Sequence, residues 1–316
     1  ENYPDDSFGW FQMGYQYMRL SQCDESVAAF MRSLEFHPND AGAHVNIATC
    51  HSKTGQFAEA LNHYEAAFAL RPDWRTSSNL NREYGFTLIR LNQIVEADAA
   101  FRLMLDGDDA QRAAGCRSLG LLSMYQGRYR DAVEWFEEAV RVQMSLGYRV
   151  SEARDRMYLA STYARRGNDR EELEQLTRVR EMFEGDYPGS IWVTHAGVGF
   201  ARAGDLEGLQ SMLALLEENE NPDIRGDRGA IQRLLGDLLL AGSGPETALE
   251  SLEMAYTISR SSIDAFAIAR AYHEAGELEE ARSHYNEVIA ENALGWEALE
   301  PWLEAHYWMG LSLIHI

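Results

Sequence analysis

Apolar and polar residues follow a pattern in this chain that returns about every 34 residues. The segment DESVAAFMRSLEFHPND, residues 24–40, has the same order of small, aromatic and proline residues as AEALNHYEAAFALRPD, residues 58–73. Phe30 and Tyr64 lie 34 residues apart, and so do Pro38 and Pro72. Apolar residues recur three and four positions apart within each segment, which predicts amphipathic helices. A period of this length predicts a fold built from repeated helical units.

Eight successive repeats are found when the first begins at Ser7 and its positions are numbered 1 to 34. Position 8 is small in all of them: Gly14, Ala48, Gly85, Gly120, Ala160, Gly197, Gly236 and Ala269. Position 24 is bulky and apolar in all of them: Phe30, Tyr64, Phe101, Phe136, Leu176, Leu213, Leu252 and Tyr285. Position 20 is alanine in five repeats and departs to Ser26, Glu172 and Leu209 in the other three.

Each repeat therefore predicts two helices that pack closely. Positions 4, 7, 8 and 11 share one face of the first helix, and positions 20, 24 and 27 share one face of the second. Glycine at position 15 of five repeats, or Asn92 in its place, supplies the positive φ that ends a helix. The alternative of unrelated hairpins in a globular α domain does not explain eight small residues in one register.

The spacing W-x2-L-G-x2-Y, then A-x3-F, then P resembles the tetratricopeptide repeat (TPR). The first repeat carries it as Trp10, Met13, Gly14, Tyr17, Phe30 and Pro38. The resemblance implies an all-α, right-handed superhelical solenoid of about eight helix pairs that occupies residues 1–316 as a single domain. The expected repeats cover about residues 7–40, 41–74, 78–111, 113–146, 153–186, 190–223, 229–261 and 262–295, with YRVSEA at 148–153 as the longest insertion between them. More loosely, the chain resembles the repeat tails of bacterial multidomain signalling proteins such as serine/threonine kinases, although it contains no kinase motif.

A truncated ninth repeat is expected at residues 303–316, because Met309 and Gly310 fit positions 7 and 8. Its second helix is missing, which would leave these side chains uncovered: Tyr307, Trp308, Met309, Leu311, Leu313 and Ile314. Exposed apolar patches recruit partners. Self-association through this half-repeat is therefore a prediction.

Composition and charge narrow the classes of partner. The chain of 316 residues is 46% hydrophobic, which is enough to bury a core. Its 28 Lys and Arg against 50 Asp and Glu give a net charge of −22, which repels nucleic acid and anionic membranes. The three cysteines form no CxxC pair and suit reduced thiols. No apolar run reaches the roughly 18 residues of a membrane span, and the opening ENYPDDSFGW has no signal-peptide pattern. We therefore expect a cytoplasmic piece of a longer protein.

The sequence predicts no enzyme, no metal and no cofactor. It contains no GxSxG elbow, phosphate-binding loop or dinucleotide fingerprint. His44 and His51 share a helical face but lie two turns apart, about 10 Å, so they cannot bind one metal without ligands from elsewhere. Core packing explains them better. A metal role for His273 and His284 is conceivable, but no metal-ligand spacing supports it.

In the resembled family, positions 2, 5, 9, 12 and 13 of the first helix line a concave groove. Eight repeats give 40 such positions, of which ten are basic and two, Asp237 and Glu274, are acidic. Half of the basic residues occupy position 13, where a cation commonly complements a helix C-terminus. The other five are the predicted partner-binding residues Arg82, Arg117, Arg154, Arg233 and Arg270. Arginine suits forked contacts with carboxylates, so this groove predicts an acidic partner segment.

The first repeat lines the groove differently, with Phe8, Phe11, Tyr15 and Met18. These residues are either an apolar pocket for a ligand side chain or a contact with a preceding segment. The family's five-residue clamp for a chaperone's C-terminal carboxylate is matched here by Asn46 alone.

These observations favour a non-enzymatic scaffold that binds another protein, through an acidic segment in the groove. The alternative is an effector-sensing regulatory module whose superhelix responds to a peptide or small ligand. RNA binding by helical repeats is disfavoured by the net charge and by the 34-residue register.

Overall fold

A computed structural model describes residues 6–77, 80–290 and 299–314 of the chain. In these ranges every regular element is a helix. The chain divides into two compact parts, the N-terminal body, Glu1–Leu119, and the C-terminal body, Gly120–Ile316. The boundary falls inside a helix, and the single continuous array stays a prediction.

The N-terminal body is built from helix hairpins. Its helices are α1 Ser7–Arg19, α2 Cys23–Phe36, α3 Ala41–Lys53, α4 Phe57–Leu70, α5 Trp74–Ser77, α6 Leu80–Arg90 and α7 Ile94–Leu103, followed by a 3-10 turn, Met104–Asp106, and most of α8, Asp109–Tyr125. α1 packs with α2, α3 with α4, and α6 with α7. Each of these pairs coincides with one sequence repeat.

The C-terminal body continues the same arrangement. Its helices are the end of α8, α9 Tyr129–Leu146, α10 Arg149–Arg165, α11 Asp169–Gly185, α12 Ser190–Ala203, α13 Leu206–Glu218, α14 Arg225–Ser243, α15 Pro245–Ser259, α16 Ser262–Ala275, α17 Leu278–Ile289 and α18 Leu299–Ile314. Hairpin partners again follow one another: α10 with α11, α12 with α13, α14 with α15, and α16 with α17. The all-α helical-repeat prediction is confirmed.

The small residue at position 8 contacts the bulky residue at position 24 within several repeats. A Cβ placed on Gly14 would lie 2.9 Å from the ring of Phe30, and one on Gly120 would lie 2.6 Å from the ring of Phe136. The alanines at position 20 are fully buried: Ala60, Ala97, Ala132, Ala248 and Ala281. Positions 8, 20 and 24 of the repeat are therefore the positions at which the two helices are in contact.

The turn between the paired helices also follows the prediction. The position-15 glycines have a left-handed backbone, with φ from 69° to 82°: Gly55, Gly127, Gly167, Gly204 and Gly276. Asn92 takes the same conformation, at φ 58°. Left-handed residues end helices and free the chain to turn.

The segment YRVSEA, which separates two repeats in the sequence register, is mostly helical. Gly147, at φ 69°, ends α9, and α10 already begins at Arg149. The segment contains no glycine or proline, and Glu152 in the first turn favours a helix N-terminus. It therefore adds one turn to the start of α10.

The expectation that the last helix lacks cover is corrected for part of its surface. Ala305 is fully buried, and Trp308 and Met309 are half-buried against the core formed by α16 and α17. Tyr307 remains exposed. The predicted side chains of Leu311, Leu313 and Ile314 lie outside the described part. Self-association stays a prediction.

Candidate functional site

A cavity of about 310 Å³ opens among the helices of the C-terminal body. It is lined by α10, α12, α14 and α16, which are the first helices of repeats five to eight, and by α18. Most of its lining residues occupy positions 2, 5, 9, 12 and 13 of their repeats. The positions that the family register assigns to a groove thus share one cavity in this body.

Three of the predicted basic residues meet at this cavity. Arg154, Arg233 and Arg270 all contribute to its lining, together with Arg202, a position-13 arginine. Each arginine comes from a different one of four successive repeats. Three carboxylates also line the cavity, those of Asp237, Glu274 and Glu304, so the arginines exceed the acids there by one in a protein of net charge −22.

Apolar side chains form the rest of the wall. Met157, Val198, Leu240 and Phe266 line the cavity beside the arginines. A concave site with apolar walls and a few polar groups is typical of ligand pockets. Such a site can hold a segment that carries both an apolar side chain and a carboxylate.

Arg233 is the most deeply buried of the three predicted arginines, at 4% exposure. Its guanidinium forms an ion pair with Asp237 one turn further along α14, and its Nε lies 3.1 Å from Oδ1 of Asp264 at the start of α16. Burial raises the pKa of the Asp237 carboxyl, and the neighbouring Arg233 opposes that rise. Arg233 is thus held between two carboxylates of its own chain.

Arg202 also has an internal partner, Glu172, which is one of the three residues that depart from alanine at position 20. Its Nε lies 3.0 Å from Oε1 of Glu172, a carboxylate on α11 that is only 4% exposed. Glu172 occupies position 20, where five other repeats have alanine. The departure from a small residue therefore serves an ion pair between repeats five and six.

Arg270 is the most accessible of the cavity arginines, with a third of its side chain exposed. It pairs with Glu274 one turn later, at 2.8 Å, and its guanidinium lies 4.5 Å from the centre of the Trp308 ring. Arg154 is less exposed and lies 3.7 Å from the buried carboxylate of Asp155. Arg270 is therefore the cavity arginine best placed to meet a ligand from solvent.

Glu304 is a lining residue that the search for groove residues missed. It projects from α18 and forms an ion pair with Arg165 of α10, at 3.3 Å. Glu304 occupies position 2 of the truncated ninth repeat, an inward position. Extending the position count into residues 303–316 would have found it.

The other two predicted arginines belong to the N-terminal body. Arg82 pairs with Glu83 at 2.7 Å and keeps about a third of its side chain exposed. Arg117 is 4% exposed, so it is a core residue of α8 in this structure. A role for either in partner binding stays a prediction.

The apolar residues of the first repeat separate into two groups. Phe11 packs edge-on against Phe30, with ring centroids 5.2 Å apart, so it contributes to the core. Phe8 and Tyr15 are exposed. Met18 and Asn46 are half-buried.

Three histidines cluster between α3 and α4. Nδ1 of His44 lies 2.9 Å from Nδ1 of His63, and the His51 ring stacks on His63 with centroids 5.8 Å apart. Burial, reinforced by His44 and His51, lowers the pKa of His63 to about 4. Among the described residues, no three His, Cys, Asp or Glu side chains are placed to hold a metal ion together.

The described helices include none that is both long enough and apolar enough to cross a bilayer.

Comparisons with known proteins agree on the repeat. Family models of the tetratricopeptide repeat match residues 41–74, 112–147 and 265–293. These segments overlap the repeats expected at 41–74, 113–146 and 262–295.

Solved structures show the same fold at low sequence identity. A tetratricopeptide repeat protein from Parabacteroides merdae ATCC 43184 is similar with a TM-score of 0.56 and 14% identity, covering 84% of this chain and 98% of that one. PilW, described as a widely conserved type IV pilus biogenesis factor, is similar with a TM-score of 0.50 and 19% identity, covering 72% of this chain and 98% of that one.

One curated protein matches over a short region. Protein O-mannosyl-transferase F38B6.6 of Caenorhabditis elegans is 31% identical over 86 residues, which is 27% of this chain and 12% of the transferase. The chain therefore spans a small part of that protein. The chain therefore contains tetratricopeptide repeats in these three segments, within a helical-repeat fold that it shares with solved tetratricopeptide repeat proteins.

Proposed function

We propose that this chain is a non-enzymatic scaffold that binds a carboxylate-bearing segment of another protein at the cavity of the C-terminal body. The observation that supports it is the meeting of four arginines from four successive repeats at one apolar-walled cavity. Tetratricopeptide repeats are protein-binding modules, and the rest of this chain is strongly acidic. An acidic segment is thus repelled by the surface in general, and at the cavity it binds by exchanging its carboxylate for the internal partner of an arginine, such as Glu274 beside Arg270.

Arg270 supplies the contact on which the proposal depends most. A charge-assisted hydrogen bond to a carboxylate contributes about 1.5–3 kcal/mol when it is shielded from water, against about 0.2–1 kcal/mol for an exposed ion pair. Phe266 and Leu240 line the same cavity, and apolar walls of this kind reduce the water around an ion pair. An acidic segment with an adjacent apolar side chain gains from both.

The test uses two arginines of similar exposure that each form an ion pair on their own helix. Arg270 pairs with Glu274 at 2.8 Å and is 33% exposed, while Arg282 on α17 pairs with Glu279 at 3.1 Å and is 31% exposed. Arg270 lines the cavity and Arg282 is absent from its lining. Arg270→Gln and Arg282→Gln therefore remove the same charge inside and outside the proposed site.

Pools of acidic and basic peptides, each with one aromatic residue, are titrated against the wild-type chain and both variants. We expect acidic peptides to bind the wild type, and Arg270→Gln to weaken them about tenfold while Arg282→Gln leaves them unchanged. Binding should also weaken as salt rises, because screening shortens the reach of the charges. Equal binding of acidic and basic peptides, or equal losses in the two variants, would contradict the proposal.

Effector sensing is a second candidate, favoured by the size of the cavity. Small-molecule sites have volumes of about 300–1,000 Å³, and this cavity of about 310 Å³ lies at the lower end of that range. A sensor should change its radius of gyration in X-ray scattering when ligand is added, whereas a rigid scaffold should not. A cytoplasmic location and a signalling parent protein stay hypotheses. The match to the O-mannosyl-transferase covers 12% of that protein, so its activity is not proposed for this chain.

A further inference from the structure

The last helix, α18, contacts helices that lie far from it in sequence. Trp302 stacks on Tyr125 at the end of α8, with ring centroids 5.9 Å apart. Glu304 pairs with Arg165 at the end of α10, 139 residues away. Tyr125 and Arg165 both occupy position 13 of their repeats, an inward position, so α18 contacts the inner side of α8 and α10.

α18 presents a mixed acidic and aromatic face to this cavity. Pro301, Glu304 and Trp308 are spaced i, i+3 and i+7, which places them on one side of the helix. Pro301 and Glu304 line the cavity, and Trp308 lies against Arg270 and, edge-on, against His273 with centroids 5.1 Å apart. The chain thus places a carboxylate of its own among the cavity arginines.

We propose that α18 is a displaceable internal ligand of this cavity, and that the partner segment is an amphipathic helix with the same chemistry, a carboxylate flanked by aromatic side chains. This inference rests on the proposed scaffold function and states which acidic segment fits. The partner binds by taking the place of α18, so the free chain is closed and the complex is open.

The contacts that hold α18 on the cavity side are of the kind that a partner can replace. The Arg165 and Glu304 side chains are about a fifth exposed, so their ion pair is partly solvated. Trp302 donates one hydrogen bond, from Nε1 to the carbonyl oxygen of Ile289 at 3.0 Å. Partly solvated ion pairs and aromatic contacts of this type are individually weak. A partner helix forming the same contacts gains as much as α18 loses.

Tethering makes α18 a strong competitor despite these modest contacts. A segment on the same chain acts at an effective concentration in the millimolar range when its linker is short. A partner in solution therefore binds with an affinity reduced by the fraction of chains that are closed. Loosening α18 should strengthen binding in trans, which is the opposite of what loss of a structural helix would do.

The experiment uses the full chain and a labelled synthetic peptide of residues 299–314 with a polyethylene glycol solubility tag. The chains are wild type, Glu304→Gln, Trp302→Ala/Glu304→Gln, and the control Glu279→Gln, which removes an exposed carboxylate on α17. We expect Glu304→Gln to bind the peptide at least threefold tighter than wild type, the double variant at least tenfold tighter, and the control the same. A peptide carrying both substitutions should bind at least tenfold more weakly.

Each outcome supports or overturns the inference. Equal peptide affinity of all four chains, or equal binding of the substituted peptide, overturns it. Glu304→Gln removes only a partly solvated ion pair, so we expect the single variant to fold. If the double variant loses its helical circular dichroism, the peptide affinity of the single variant decides the test. If acidic peptides bind in an Arg270-dependent manner but no more tightly to the loosened chains, the scaffold function stands and this inference fails. If the 299–314 peptide exchanges but no acidic pool binds, the scaffold function fails while α18 remains the occupant of the cavity.

Discussion

A Cβ on Gly120 would lie 2.6 Å from the ring of Phe136, which is closer than any carbon pair can approach without movement. The glycine is on α8 and the phenylalanine is on α9. Phe136 is fully buried, so its ring cannot move into solvent. The bulky side chain at position 24 therefore fits only because the residue at position 8 is small.

Gly120→Ala tests this packing. Alanine in a helix interior is normally more stable than glycine by about 0.5–1 kcal/mol, but here the methyl group overpacks the core. Overpacking costs about 1–3 kcal/mol, so after the helix gain is subtracted we expect a net destabilisation of up to about 2 kcal/mol, measured as a lower urea midpoint of unfolding. Gly242→Ala is the control, because a Cβ on that exposed glycine of α14 meets nothing within 4 Å. It should stabilise slightly, and equal effects of the two substitutions would show that the assigned register is wrong.

The sequence predicted the helix pairs and the inward positions because both depend on local periodicity. Arg154, Arg233 and Arg270 were found from their positions alone, and all three line one cavity. The acidic residues that pair with these arginines could not be predicted from position. The position of a residue in the repeat determines which face of its helix it occupies. It does not determine which side chain of a neighbouring helix it contacts.

The partners of the arginines show this limit. Asp264 occupies position 3 and Glu172 position 20, neither of which is an inward position, yet they pair with Arg233 and Arg202. The pairing of Arg165 with Glu304 joins residues 139 positions apart. Contacts of such sequence separation depend on how the helices pack, so a 34-residue period contains no record of them.

Arg233 should matter for folding far more than an arginine at the surface. Arg233→Met keeps the volume but leaves the carboxylates of Asp237 and Asp264 buried without their cation, and breaking a buried pair in this way costs about 3–5 kcal/mol. We expect the free energy of unfolding to fall by about 3–5 kcal/mol, measured by urea unfolding at pH 7. Arg82→Met, which breaks an exposed pair with Glu83, should change stability by less than about 1 kcal/mol.

Acid should partly rescue the Arg233→Met chain. Burial already raises the pKa of Asp237 in the wild type, and loss of the Arg233 guanidinium removes the larger of the two cations that oppose this rise, the other being Arg270. A raised folded-state pKa means that protonation stabilises the folded chain, so stability lost at neutral pH returns as pH falls through that raised pKa. The difference between wild type and variant should therefore shrink between pH 7 and pH 4.5. A difference that stays constant over this range would indicate that the cost comes from packing rather than from charge.

The histidine cluster predicts the reverse pH dependence in the N-terminal body. His63 has a pKa of about 4 in the folded chain, below the ordinary value of about 6.5, because it is partly buried and its neighbours are His44 and His51. The unfolded chain therefore binds a proton at this residue before the folded chain does. The stabilisation is present above about pH 6.5 and is lost as pH falls toward 4. After allowance for partial solvent exposure, we expect a loss of about 1 kcal/mol between pH 7 and pH 5.

His63→Gln isolates this effect, since glutamine occupies a similar position and does not titrate. Hydrogen exchange of the α3 and α4 amides, corrected for the intrinsic rate at each pH, should show protection falling from pH 7 to pH 5 in the wild type and staying level in the variant. His37→Gln is the control, because His37 is exposed on the same body. It should lose protection with pH as the wild type does. If the His63→Gln chain loses protection as steeply as the wild type, the acid sensitivity of these helices originates in other groups, and the contact between His44 and His63 has no part in it.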